Sequence, residues 1–201
     1  MRCESIITVQ KLRKSYDKIL FKELSFSIEE GEVVAVMGPS GVGKTTFLNI
    51  LMGLDKDYEG TIEGLFDKEF SAVFQEDRLL EEFSVMTNIK IVVDKKQGKR
   101  ISREEIEKAC ETILPKGICH NICKTLSGGM KRRVEIIKAM MAESDVICMD
   151  EPFKGLDRRT KEKVVQYVLQ NKGKRTMFIV THDKEDIELI NPGRIINIES
   201  I

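Results

Sequence analysis

A chain of 201 residues, 41% of them apolar, can bury a substantial core, and its length predicts one domain with room for an inserted subdomain. Lys plus Arg and Asp plus Glu both number 33, a balance that gives no basic excess for a nucleic-acid surface, so no nucleic-acid partner is expected. No apolar run approaches the roughly 18 to 20 residues that span a bilayer, and the start MRCESIITVQ lacks the basic-then-apolar pattern of a secretion signal; a cytosolic protein is expected.

Taken in chain order, SIITVQ and then KILFKELSFSIEE read as antiparallel β, with Leu20, Leu24, Phe26 and Ile28 at mostly even spacing before a turn at Gly31. EVVAVM is a short continuous apolar run of the kind found in a strand buried on both faces, and a Gly-rich turn and the helix-like KTTFLNILMG follow at once. FSAVFQ reads as a further strand. The region from Glu76 to about Lys124 is charged and irregular, with helical periodicity only in SREEIEKACETIL, and the charge run DKKQGKR reads as a solvated turn. A helix is expected after Gly128 and Gly129, since Met130, Val134, Ile137 and Met141 recur at spacings of three and four. Strand and helix then alternate through DVICMD, RRTKEKVVQYVLQ, RTMFIVT, KEDIELI and RIINIE, which predicts a largely parallel sheet covered by helices.

The cysteines Cys3, Cys110, Cys119, Cys123 and Cys148 are odd in number and show no disulfide framework, which fits a reducing compartment. Cys119, His120 and Cys123 lack a second ligand pair at zinc-site spacing and read as packing residues; Cys148, inside an apolar run, reads as core.

Chemistry concentrates at two places. Gly38, Pro39, Ser40, Gly41, Val42, Gly43, Lys44 and Thr45 form G-x-x-x-x-G-K-T between an expected strand and an expected helix. Glycines there let backbone N–H groups turn toward phosphate oxygens, and the helix adds the positive end of its dipole. Lys44 is placed to reach the β- and γ-phosphates, the Thr45 hydroxyl to ligate Mg²⁺, and Thr46 to join the nucleotide contacts. The second place is the apolar run Val146 to Met149 ending in Asp150 and Glu151, two acids at the carboxyl end of a strand. Asp150 is expected to hold Mg²⁺ and Glu151 to orient and deprotonate an attacking water.

A phosphate loop alone leaves kinases, GTPases and many motors open. Leu126, Ser127, Gly128, Gly129 and Met130, however, resemble the ABC signature LSGGQ, and the other motifs stand in that family's order: Tyr16, the phosphate loop, Gln75, the signature, Asp150 with Glu151, Leu156 with Asp157, and His182. The resemblance covers essentially the whole chain. It implies an ABC ATPase fold: a P-loop NTPase α/β core (1–75 and 145–201) with an N-terminal antiparallel β subdomain, and an inserted helical subdomain at 76–144. It further implies that Tyr16 stacks on adenine, that Gln75 senses metal and water, and that Ser127, Gly128 and Gly129 offer N–H groups to the γ-phosphate of an opposing subunit. Asp157 then crosses the dimer interface, while also suiting a helix cap, and His182 contacts the γ-phosphate. Met130 departs from the usual Gln.

By the same resemblance the chain is expected to be an ATP- and Mg²⁺-dependent ATPase that closes head to tail with a second such domain, identical or not, and drives a separate membrane permease. An extracytoplasmic solute-binding protein is an implied further partner, and the chain would lie at the inner face of the cell membrane. VFQEDRLL and EPFKGLD look most like the nitrate, sulfonate and taurine importer group; a rival is a non-transport ABC ATPase acting on an envelope or division complex. Leu79, Leu80, Phe83 and Val85 interrupt a charged segment just after Gln75, and either pack the small subdomain or line a groove for a cytoplasmic helix of the permease.

Overall fold

The computed structural model describes residues 7–16, 19–93 and 101–199. Cys3, the first two residues of SIITVQ and the DKKQGKR run lie outside them. The elements in order are β1 (Ile7–Ser15), β2 (Ile19–Ile28), β3 (Val33–Met37), α1 (Lys44–Leu51), β4 (Glu59–Glu63), β5 (Phe70–Val73), α2 (Val85–Val93), α3 (Arg103–Ile113), α4 (Gly128–Met141), β6 (Val146–Asp150), α5 (Arg158–Asn171), β7 (Thr176–Val180), α6 (Lys184–Ile190) and β8 (Arg194–Asn197). Two short 3₁₀ turns, Ile118–His120 and Cys123–Thr125, precede α4.

The strands form two sheets. An antiparallel sheet has the order β2-β1-β4, and a parallel sheet has the order β5-β6-β7-β3-β8. β6 and β7 are buried along their whole length, which is why VICMD and TMFIV read as continuous apolar runs and do not alternate. Their side chains still alternate between two cores. Ile147, Met149, Met177 and Ile179 face a cluster with α2, α3, α4 and α5, while Cys148, Phe178 and Val180 face a second cluster with α1 and the antiparallel sheet. Cys148 is thus core, as its sequence context indicates.

Two elements carry no signal that sequence reading picks up. In β4, EGTIE, Ile62 is the single large apolar side chain and the strand is mostly exposed, so no alternation marks it. α2 lies within the stretch read as irregular; its buried polar residue Asn88 bonds Leu80 through both its amide groups and also bonds the Ser84 carbonyl, fixing a loop that only the fold brings near. In β2 the even spacing holds over Leu24, Phe26 and Ile28. Shifts in pairing around Leu12 and Lys14 of β1 then turn Phe21, and not Leu20, fully inward.

In a parallel sheet every strand presents its carboxyl end at one edge. The segments that leave β3, β5, β6 and β7 there contain the phosphate loop, Gln75, Asp150 with Glu151, and His182. α3 opens on a capping box between Ser102 and Glu105, which satisfies N–H groups at the helix start and fixes where the helix begins.

Candidate functional site

The phosphate loop is a close-packed turn that tolerates no side chain at two of its glycines. Gly38 and Gly43 have φ of +152° and +98°, and a Cβ would stand 2.3 Å from the Ile198 carbonyl oxygen at the first and 2.6 Å from the Leu20 side chain at the second. Gly43 is also the N-cap of α1 and supplies no side-chain acceptor, so the N–H groups of the helix's first turn stay available to an anion. Lys44 is buried, and its Nζ donates to the Gly38 carbonyl at 2.8 Å and the Pro39 carbonyl at 2.7 Å. Ser40, Gly41, Gly43, Lys44, Thr45 and Thr46 line one side of a cleft of about 230 Å³ whose other side is Gln75, Asp150 and Glu151. Val42 points away, into the core.

Across the cleft the two acids differ in environment. The Thr45 hydroxyl donates to Asp150 Oδ2 at 2.5 Å, and burial pushes the Asp150 carboxyl above its ordinary pKa despite that bond. A buried carboxylate beside a hydroxyl, with Gln75 lining the same cleft, offers hard oxygen donors, the kind Mg²⁺ prefers. The residues present therefore fit Mg²⁺. Glu151 sits on a left-handed backbone, φ +47°, rare for a side chain of this kind, and is held there by its N–H donating to the Val180 carbonyl at 2.9 Å. Its Oε1 meets His182 Nδ1 at 2.8 Å. Lys154 Nζ lies 2.8 Å from Oε2 as an ion-pair partner but off the direction of a hydrogen bond, so Oε2 is buried with none. Burial raises the Glu151 pKa; Lys154 and His182 more than offset this and hold it below the ordinary carboxylate value.

Several expected site residues lie elsewhere in the single chain. Tyr16 is exposed at the end of β1, its hydroxyl donating to Asp55 at 3.3 Å and one ring face covered by Lys14 Nζ at 4.5 Å. Leu20, a few residues on, rests against Gly43, so this end of the antiparallel sheet abuts the phosphate loop. Ser127 caps α4, accepting from the Met130 N–H at 3.3 Å, and Asp157 caps α5, accepting from the Thr160 N–H at 3.0 Å. At Gly128 a Cβ would meet open space and at Gly129 one would stand 3.5 Å from the Leu156 side chain, so the signature segment and the Asp157 turn are neighbours, and neither lines the cleft.

Sequence reading missed the pair that ties the cleft to the helical region. Arg132 of α4, buried, donates to the carbonyls of Phe74 and Gln75, the latter at 2.6 Å, and its partner Glu135 accepts from the Arg78 N–H at 2.6 Å. The signal for it in the sequence is an Arg and a Glu three residues apart among the apolar positions of α4. Cys119 and Cys123, by contrast, pack inside: Cys119 Sγ lies 3.4 Å from Cys110 Sγ and Cys123 Sγ accepts from Asn88, while His120 pairs with Glu107.

Residues 21–154 match the ABC transporter family. The chain belongs to that family. An aliphatic sulfonates import ATP-binding protein, SsuB, of Bacillus licheniformis is 36% identical over 200 residues, spanning 90% of this chain and 77% of the relative. Among solved structures, the dimeric bacterial ABC transporter cassette MJ0796 is 29% identical, with a TM-score of 0.81 and 96% and 94% of the two chains covered. A second structure of that cassette, a dimer in a post-hydrolysis state with ADP and Pi, is 28% identical with the same TM-score of 0.81, covering 96% of this chain and 95% of that one. Within the ABC family frame, Met130 takes the signature's last position, half-buried against the helical core.

Proposed function

We propose that this chain is the ATP-binding and ATP-hydrolysing subunit of an ABC importer. The observation that carries the reading is the convergence of Lys44, Thr45, Asp150, Glu151 and His182 at one sheet edge while the signature Ser127–Gly129 opens onto a separate surface. One chain then offers half of each of two sites, and a second copy or a second ABC domain, placed head to tail, completes them; the similar cassette MJ0796 is itself a dimer. Residues 76–144 act as the helical subdomain that carries the signature, and 1–75 with 145–201 as the core.

In the reaction, Lys44 and the loop N–H groups hold the β- and γ-phosphates, and Tyr16 offers its ring face away from Lys14 to adenine. Thr45, Asp150 and Gln75 would hold Mg²⁺, whose positive charge neutralises the phosphate oxygens. Glu151 accepts a proton from the attacking water as its oxygen bonds the γ-phosphorus and the bond to ADP breaks; His182, tied to Glu151, orients that carboxylate and reaches the γ-phosphate. Specific ATPase activity should therefore rise with subunit concentration and level off once dimers saturate. Activity from a proven monomer that stays independent of concentration would overturn the shared-site reading.

The importer assignment rests on the likeness to SsuB, and with it come a membrane permease, an extracytoplasmic solute-binding protein and a place at the inner face of the membrane. The described residues contain no helix long and apolar enough to cross a bilayer, so such a permease is a separate chain or segment. The four apolar residues after Gln75 divide: Leu79 and Val85 are core, while Leu80 and Phe83 are exposed beside exposed Ile122, on a segment that pairs with it through Ser84. We place the permease's cytoplasmic helix on Leu80, Phe83 and Ile122. Phe83→Ser should leave the melting temperature and basal ATPase activity unchanged and weaken co-purification with the permease. Leu79→Ala, the packing control, should cost about 2–5 kcal/mol of stability. A Phe83 variant that melts early yet assembles normally would reject the docking surface.

A further inference from the structure

Near the catalytic edge, three acids converge on one buried cation. Lys161, one turn into α5 and 5% exposed, places its Nζ 2.6 Å from Asp183 Oδ2, 2.9 Å from Glu185 Oε2 and 2.8 Å from Asp186 Oδ1. All three belong to the turn that follows His182. Asp186 in turn accepts from the Thr181 hydroxyl at 2.6 Å, and that hydroxyl accepts from the Asp183 N–H at 3.1 Å, so the residues on both sides of His182 hang on one network. At the other end, the Lys161 N–H donates to the carbonyl of Asp157, the residue that caps α5 beside the signature. His182 itself carries no such anchor: it is exposed, and the side-chain hydrogen bond it makes among the described residues is to Glu151.

We propose that Lys161 is a positioning residue that couples the Asp157 turn at the start of α5 to the histidine–glutamate pair, so that a partner docked on Asp157 fixes His182 through one cation and three carboxylates. The inference rests on the reading of His182 and Glu151 as hydrolytic residues. A side chain whose charge merely satisfied the surrounding acids would need no link to the reacting edge. This one joins the loop carrying His182 to the helix whose first turn lies beside the signature. Loss of the cation leaves Asp183, Glu185 and Asp186 mutually repelling, and the turn that aims the imidazole is then free to move relative to Glu151.

The test separates aim from stability. In the full-length dimeric protein, Lys161→Met should lower kcat for ATP by about 30-fold or more while KM changes less than about threefold, because ATP contacts are untouched. Lys161→Arg should restore most of the turnover, since a guanidinium can reach the same carboxylates. In a His182→Ala background, Lys161→Met should add less than about threefold further loss, because a residue that acts through His182 has nothing left to position. If Lys161→Met fails to fold, Glu185→Gln removes one half-buried acid of the three and carries the same comparison, with a smaller loss that again vanishes without His182. A folded Lys161→Met protein with normal kcat, or a loss that multiplies in full onto the His182→Ala loss, overturns the proposal. Full turnover in His182→Ala alone would instead sink the hydrolytic role of His182 and the proposal with it.

Discussion

Glu151→Gln should bind ATP within a few-fold of the unaltered affinity and hydrolyse it about 10²–10⁴-fold more slowly, the usual weight of a general base. That loss corresponds to about 2.7–5.5 kcal/mol of barrier. The reason lies in the local structure. Glu151 is the carboxylate that opens on the cleft without ligating Thr45, and Lys154 and His182 hold it as an anion able to take a proton. Glutamine keeps the size and the contact with His182 but has no proton affinity in this range. Because binding survives and hydrolysis stops, the variant should accumulate as an ATP-bound dimer, visible as an earlier peak in size-exclusion chromatography with ATP. Normal phosphate release by this variant would show that another group activates water.

Lys44→Ala should lose both nucleotide affinity and turnover. Charge-assisted hydrogen bonds contribute about 1.5–3 kcal/mol each, so a fluorescent-nucleotide titration should show affinity falling by about 10- to 100-fold. Turnover at saturating ATP should fall further, since Lys44 is the cationic side chain among the described residues that line this cleft. Stability should change little: the Nζ bonds lost are two to loop carbonyls, Gly38 and Pro39, which water can replace. A melt near the unaltered temperature with lost binding is the expected pair of results. Retained ATPase activity would remove the phosphate-loop assignment.

The two kinds of residue in the site differ in how they could be read. Short-range chemistry was written in the sequence itself: a Gly-rich turn between an apolar strand and a helix, and two acids ending VICMD, can be recognised because backbone conformation and strand burial are local properties. The parallel sheet was legible for the same reason, since strands buried on both faces must be continuously apolar, and the helix after Gly129 announced itself by its spacing. β4 and α2 were not legible, because an exposed strand carries no alternation and the polar residue that organises the loop before α2, Asn88, meets Leu80, eight residues away, only in the fold.

What the tertiary structure alone decided is which distant groups touch. Thr45 meets Asp150 across 105 positions of chain, Glu151 meets His182 across 31, and Arg132 reaches back to hold the Phe74 and Gln75 carbonyls. It also separated Leu79 and Val85, which are core, from Leu80 and Phe83, which are not, although all four look alike as letters. Such pairings depend on strand order and on which face of a helix is covered. These are set by the burial of the whole chain's apolar surface at once, and no window of sequence contains them.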